Sequence, residues 1–209
     1  MKEIKSFVRR NSRLTDSHKK HLSQSDGMLY TQIPFTLLQQ QRFVGLEIGF
    51  GMGDSLLDVA AKNPDQLWVG IEVYEVGVAS VIRQAKEKGL ENIIVLTGDV
   101  MDFLEREQAH QLFDHIRIFF PDPWPKKRHH KRRLVQGKSL DVLASIMKPS
   151  AVLHFATDHL PYAEDVELVL SNSQYFKPLA VVPFRPETKF ARKAKEAGVV
   201  ITDIAVERI

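Results

Sequence analysis

The sequence of 209 residues contains no cysteine and no long uninterrupted apolar run. The absence of cysteine excludes disulfides, thiolate zinc sites and cysteine nucleophiles, and it agrees with the cytoplasmic location that we expect. The first ten residues, MKEIKSFVRR, lack the apolar core of a signal peptide. No apolar run approaches the roughly 20 residues that a membrane helix needs. A hydrophobic content of 44% and a charged content of 26% are typical of one globular domain.

The charge of the chain is unevenly distributed, although its net value is only +3. Residues 1–22 have a net charge of +5, and residues 126–133 carry six Lys or Arg and no acid. The other 179 residues must therefore sum to −8, because the total is fixed. Two basic segments on a mildly acidic body indicate an anionic partner, with nucleic acid as the first candidate. A merely solubilising surface is the alternative.

Short apolar runs alternate with amphipathic stretches from residue 44 onward. The runs predict strands at 44–48, 67–73, 93–99, 115–120, 151–158, 181–184 and 199–206. The amphipathic stretches predict helices at 54–63, 76–88, 100–108, 131–147 and 162–170. This alternation predicts an α/β fold with a mostly parallel seven-stranded sheet, helices on both faces and an antiparallel edge. We expect residues 1–43 to be a basic, partly mobile N-terminal extension and residues 44–209 to form the domain.

A glycine-rich loop, GFGMG, follows the first predicted strand and places Gly49, Gly51 and Gly53 where ligands bind in open α/β sheets. Acidic residues stand at or near the ends of four predicted strands: Glu47, Glu72, Asp99 and Asp122. An acid at the end of the second strand is placed to accept hydrogen bonds from a ribose, and Asp99 to accept from an adenine amino group. Each acid alone is more often a helix cap or a surface charge, but four at successive strand ends indicate a site.

A dinucleotide-binding domain is the competing interpretation of the loop. Its fingerprint is G-x-G-x-x-G, whereas the third glycine here comes one place early. Glu47, two residues before the first glycine, suits a ligand with a cationic end better than a pyrophosphate. We therefore predict that the loop binds S-adenosylmethionine (SAM), with its amino group and sulfonium, rather than NAD.

The stretch Phe119–Arg133, FFPDPWPKKRHHKRR, joins a constrained acid to a basic run. Prolines follow both Asp122 and Trp124 and restrict the conformations of these two residues. A fixed carboxylate and an aromatic face form a seat for a planar base, which a guanine edge would fit. Trp124 as a core anchor is the alternative, and the two roles are compatible. The basic run is the candidate phosphate-binding segment, and His129 and His130 lack a nearby third ligand for a metal.

These motifs resemble the tRNA (guanine-N7)-methyltransferases: LEIGFGMG, GIEV and FFPDPWPKKRHHKRR, supported by SFVRRNSRLT and RPETKF. The resemblance implies SAM-dependent methylation of a guanine in the tRNA variable loop, and from the residues we expect no metal. It places cofactor binding on the four acids, beside the glycine loop. Because guanine N7 carries a lone pair and no proton, we interpret Asp122 as catalytic through charge and base orientation and not as a base. The residues implied to contact the substrate are Lys126, Arg128, His129, His130, Lys131, Arg132, Arg133, Asp158, Thr188, Lys189 and Phe190. It leaves the oligomeric state open.

The C-terminal part departs from the family pattern. The motif T-K-[FY]-E ends in Ala191, and the stretch ARKAKEAGVVITD replaces the usual arginine-bearing tail. Tyr74-Glu75 also stands where the family has His followed by a small residue or proline. The alternative function is therefore an RNA-binding protein with the methyltransferase fold and low or no activity.

Overall fold

Eight strands and eight α-helices make up the described part of the chain, which is residues 13–106 and 111–209 in a computed structural model. The strands are β1 (Leu29–Tyr30), β2 (Val44–Ile48), β3 (Leu67–Glu72), β4 (Ile93–Thr97), β5 (Phe113–Phe119), β6 (Met147–Thr157), β7 (Phe176–Pro178) and β8 (Thr202–Arg208). The helices are α1 (Asp16–Ser23), α2 (Phe35–Gln39), α3 (Asp54–Lys62), α4 (Glu75–Lys88), α5 (Val100–Arg106), α6 (Gly137–Ile146), α7 (Leu160–Ser171) and α8 (Lys189–Glu196).

The strands form a single sheet in the order β1-β4-β3-β2-β5-β6-β8-β7. All pairs from β1 to β6 are parallel, and β8 joins β6 and β7 by antiparallel pairing. The predicted α/β fold with a mostly parallel sheet and an antiparallel edge is therefore confirmed. The sheet has eight strands rather than seven because the two-residue β1 adds a strand beside β4.

Alternate residues of the central strands point to opposite faces of the sheet, and each face has its own core. Trp68 packs with the buried faces of α3 and α4, whereas its neighbour Val69 belongs to the core on the other face. That second core also contains buried residues of α6 and α7. Helices on both faces follow from this two-sided burial, as expected for parallel strands.

Two sequence predictions differ from the structure in the C-terminal half. The helix predicted at 131–147 is a 3₁₀ helix over Lys127–Arg132, a break, and then α6. The strand predicted at 181–184 is absent from the described residues, and β7 forms earlier, at Phe176–Pro178. The helix predicted at 100–108 is described as far as Arg106, and its last residues lie outside the described part.

The segment before β2 packs against the sheet in its described part. Ile33 and Leu38 are buried in the core, and β1 pairs with β4. Residues 1–12, which include much of the basic N-terminal segment, lie outside the described residues. The boundary at residue 43 stays a prediction.

The topology brings the carboxyl ends of β2, β3, β4 and β5 to one edge of the sheet. β2 lies between β3 and β5, so the chain leaves it at the point where the strand order reverses. Open α/β sheets bind ligands in the crevice at such a switch point.

Candidate functional site

The glycine loop after β2 turns sharply and starts α3. Gly49, Gly51 and Gly53 all have positive φ angles, of 74°, 58° and 89°, which L side chains adopt at a cost. Gly49 and Gly51 line the cleft. Gly53 also packs closely against α4, since a Cβ there would meet Val81 Cγ2 at 2.1 Å. Its predicted cofactor contact stays a prediction.

Glu72 at the end of β3 holds this loop in place. Its Oε2 accepts a hydrogen bond from the Gly51 N–H at 2.7 Å. Its Oε1 accepts from the N–H groups of Val73, at 2.7 Å, and Tyr74, at 2.9 Å. A carboxylate has about four acceptor sites, so a ribose hydroxyl can use what remains. The predicted ribose contact stays a prediction, and loop anchoring is a role that sequence reasoning missed.

Glu47 is buried in the floor of the cleft beside Arg117. The two residues are register partners on β2 and β5, and Arg117 Nη1 lies 3.8 Å from Glu47 Oε2. The Ser55 hydroxyl donates to the same oxygen at 2.9 Å. Burial raises the pKa of Glu47 to about 7, against the opposing effects of Arg117 and Ser55. Burial also lowers the pKa of Arg117, whose guanidinium stacks 4.6 Å from the centre of the Trp68 ring.

The cleft collects the four predicted acids at one place. Glu47, Glu72, Asp99 and Asp122 all line it, together with apolar residues of β5 and the glycine loop. Asp99 also starts α5, because its Oδ1 accepts from the Met101 N–H at 3.1 Å. Four acids that are distant in sequence thus converge through the parallel sheet, as the strand-end pattern predicted.

The PDPWP segment leaves β5 along the rim of the cleft. Phe120, just before it, and Trp124, within it, have positive φ angles of 52° and 45°, a conformation that is rare and costly for aromatic residues. Trp124 is buried, with Arg132 stacked 4.8 Å from its ring centre. The indole is therefore buried under the basic run, and the aromatic residues of this part of the chain that line the cleft are Phe119 and Phe120, which precede the segment.

Arg133 supports the PDPWP segment from beneath. Its side chain is 2% exposed and donates from Nε to the Pro123 carbonyl at 2.9 Å and from Nη1 to the Pro161 carbonyl at 3.2 Å. It also pairs with Asp165. Arg133 is therefore a buried support of this segment. Its implied substrate contact stays a prediction.

The rest of the basic run forms the 3₁₀ helix beside the cleft. Lys126, Arg128 and Lys131 are exposed, whereas His129, His130 and Arg132 are partly covered. Burial lowers the pKa of His129, and the surrounding cations lower it further. This surface can contact an anionic backbone next to the acids in the cleft.

The segment before α8 forms another wall of the cleft. Thr188, Lys189 and Phe190 line it. The substrate contacts that the resemblance implies for them stay a prediction. Thr188 Oγ1 accepts from the Ala191 N–H at 3.1 Å, and Asp54 Oδ2 accepts from the Lys189 N–H at 3.0 Å. The first turn of α8 is therefore attached to the first residue of α3.

Two contacts complete this wall. Arg185 pairs with Asp203 through Nε at 2.8 Å and stacks 5.3 Å from the Phe120 ring centre. The Phe120 and Phe190 rings are nearly parallel, with centroids 6.1 Å apart.

Asp158 is exposed after β6 and lies outside the set of cleft-lining residues, so its implied substrate contact stays a prediction.

The lining of the cleft fits SAM better than a dinucleotide. Carboxylates at Glu47, Asp99 and Asp122 suit a ligand with an ammonium and a sulfonium group, and they would repel a pyrophosphate. The apolar residues between them can cover an adenine ring. A doubly wound sheet with this acidic cleft beyond a glycine loop defines the class of SAM-dependent methyltransferases.

Comparisons with known proteins agree with this class and specify the family. A family model described as "Putative methyltransferase" matches residues 41–204. A tRNA (guanine-N(7)-)-methyltransferase of Nitrosococcus oceani is 41% identical, and the alignment covers 98% of this chain and 91% of that protein. One of Francisella tularensis subsp. novicida is 36% identical over 100% of this chain and 96% of that protein. The chain belongs to the tRNA (guanine-N7)-methyltransferase family.

Solved structures support the fold at lower identity. The 16S rRNA methyltransferase KamB is 17% identical, with a TM-score of 0.61 over 86% of this chain and 94% of that chain.

Within residues 13–106 and 111–209, no helix is long and apolar enough to cross a membrane. The same residues contain no group of three His, Asp or Glu that could hold a metal ion.

Proposed function

We propose that this protein transfers a methyl group from SAM to N7 of a guanine in the variable loop of tRNA. The observation that carries the proposal is the continuity of two surfaces. The PDPWP segment forms part of the rim of the acidic cleft and continues directly into the basic 3₁₀ helix Lys127–Arg132. The full-length similarity to named tRNA (guanine-N7)-methyltransferases supports the substrate and the atom. The variable-loop position rests on the family resemblance, as does the cytoplasmic location.

The cofactor residues of the proposal are the glycine loop, Glu47, Glu72 and Asp99. SAM, when bound there, supplies an electrophilic methyl group on its sulfonium. Glu47 offers a carboxylate to the ammonium group, and Glu72 keeps the Gly51 N–H fixed in the loop. Asp99 lines the cleft at the end of β4 and offers an acceptor to the adenine amino group.

The chemistry of guanine N7 limits what the protein has to do. N7 carries an in-plane lone pair and no proton, so no general base is required. Orientation of the base, exclusion of water and electrostatics remain as the sources of rate enhancement. Asp122 on the rim supplies a carboxylate that orients the N–H edge of guanine and stabilises the positive charge that develops on the methylated purine.

The base must leave a regular RNA helix to reach the cleft. The major groove of A-form RNA is deep and narrow, and it conceals N7 from side chains. A loop guanine is accessible, and the Phe120 ring provides an apolar wall for it. Lys126, Arg128 and Lys131 would then contact the phosphates beside the bound nucleotide.

The test is methylation of unmodified tRNA with labelled SAM, followed by nucleoside analysis. We expect N7-methylguanosine from the wild type. Asp122→Asn keeps the side-chain shape and removes its charge, so we expect a kcat lower by about 10²–10³ with little change in tRNA affinity. Normal turnover of Asp122→Asn at saturating SAM would show that the acid only stiffens the loop. Incorporation of label into another atom or another RNA would refute the proposed reaction.

A further inference from the structure

Helix α8, formed by the part of the chain that departs from the family pattern, has a basic solvent face. Ala191 and Ala194 are buried against the domain. Four cations occupy the exposed positions: Lys189, Arg192, Lys193 and Lys195. Glu196 is the one acid within the eight residues of the helix. The net charge of the helix is therefore +3.

This basic face is not neutralised by the rest of the domain. Arg192 Nη1 lies 3.7 Å from Glu187 Oε2, an exposed pair, which contributes little in water. No acidic side chain in the described part of the chain forms an ion pair with Lys193 or Lys195. Lys189 and Lys193 are four residues apart, so their like charges repel each other on the same face. An anion that binds there would relieve this repulsion.

The helix begins inside the cleft and extends away from it. Lys189 and Phe190 line the cleft, and the Lys189 N–H is bound to Asp54 at the start of α3. The 3₁₀ helix Lys127–Arg132 lies on another side, where His130 is 3.6 Å from Asp165 of α7. Two separate basic surfaces therefore flank the mouth of the cleft, one beside α3 and one beside α7.

We propose that α8 is a second phosphate-binding surface, which holds the tRNA backbone beside the cleft in addition to the 3₁₀ helix. This inference rests on the proposed function, because it assigns a further contact for the same substrate. A nucleic-acid backbone is the occupant that this geometry favours: it carries regularly spaced negative charges and continues on both sides of a base held in the cleft. The helix is about 12 Å long at 1.5 Å per residue, which is enough to contact more than one phosphate.

The test is tRNA binding by Lys193→Gln/Lys195→Gln across a salt series. Each lost phosphate contact should make the slope of log K against log salt shallower by about 0.7–0.9. We expect the double variant to bind tRNA more weakly and to show a slope shallower by about 1–2. Gln has a helix propensity close to that of Lys, so α8 should remain folded, and circular dichroism checks this. Lys193→Arg/Lys195→Arg keeps both charges and should keep the wild-type slope.

The matched control is Lys88→Gln/Lys177→Gln, which also removes two exposed lysines. Lys88 is the last residue of α4, at the ends of the strands opposite the cleft. Lys177 lies on β7, the outermost strand of the sheet. We expect the wild-type slope for this control. An unchanged slope for the α8 variant would overturn the inference, as would an equal change in the control. If the wild type itself neither binds nor methylates tRNA, the proposed function is wrong. That result is distinguishable from a wild type that binds tRNA and an α8 variant whose salt slope is unchanged, which would overturn only this inference.

Discussion

Gly77 in the first turn of α4 is predicted to set the position of the cofactor loop. A Cβ added at Gly77 would lie 2.0 Å from the Gly51 carbonyl oxygen. Real Cβ atoms essentially never approach another heavy atom closer than 3.0 Å, so Gly77→Ala must move the loop or the helix by about 1 Å. The obstructing atom belongs to the backbone, so no side-chain rotation can relieve the contact. We expect the free energy of unfolding to fall by about 1–3 kcal/mol, the usual cost of overpacking.

The same displacement should weaken SAM binding, because the Gly51 N–H is bound to Glu72 at 2.7 Å. Loss of one hydrogen bond between SAM and a charged group of the displaced site would cost about 1.5–3 kcal/mol, or about 10–150-fold in Kd. Urea denaturation measures the first effect and titration calorimetry the second. Gly137→Ala in the first turn of α6 is the control: its Cβ would meet nothing within 4 Å, so we expect a gain of about 0.5–1 kcal/mol from helix propensity. Unchanged SAM affinity in Gly77→Ala would refute the coupling between α4 and the loop.

Two further predictions concern Ala191 and Glu47. Ala191→Glu places a carboxylate at the third position of α8, where it can complete a capping box with Thr188. Turnover should rise or stay unchanged, and a large loss with intact folding would mean that family roles for residues 188–191 do not transfer. Glu47, with its pKa raised to about 7, is protonated in the free protein at lower pH, whereas a cationic ligand favours the carboxylate. SAM affinity should therefore rise with pH through 7 and level off above it, and calorimetry of Glu47→Gln should show no such rise.

The sequence was sufficient to predict the parts of the fold that depend on local patterns. The strands β2, β3 and β4 are apolar runs bounded by glycine or acidic residues, and parallel strands buried on both faces have this appearance. Helices α3 and α4 carry clear starts and ends, including Gly89 with φ of 64° after α4. The same elements determine where the strands end, and therefore where the four acids come together.

Features that depend on tertiary contacts could not be predicted in this way. The break before α6 arises because Arg133 turns inward to the Pro123 and Pro161 carbonyls, and nothing local distinguishes it from its exposed neighbours. The burial of Arg117 could not be predicted either. A charged residue in a strand suggests a solvent-facing position, but Arg117 is 4% exposed beside Glu47. The close approach of Gly77 to Gly51 joins residues 26 positions apart and has no signal in either segment.

The structure of the C-terminal tail bears on whether its altered sequence lowers activity. The missing acid at position 191 would leave the first turn of α8 without a carboxylate from its own helix. Asp54 supplies one from α3, accepting the Lys189 N–H at 3.0 Å, and an acid at a helix N-terminus is stabilising. Because Asp54 directly follows the glycine loop, the tail is attached to the cofactor side of the cleft, and Phe190 remains in its wall. This attachment and the basic face of α8 favour a tail that still serves substrate binding over one that has lost its function.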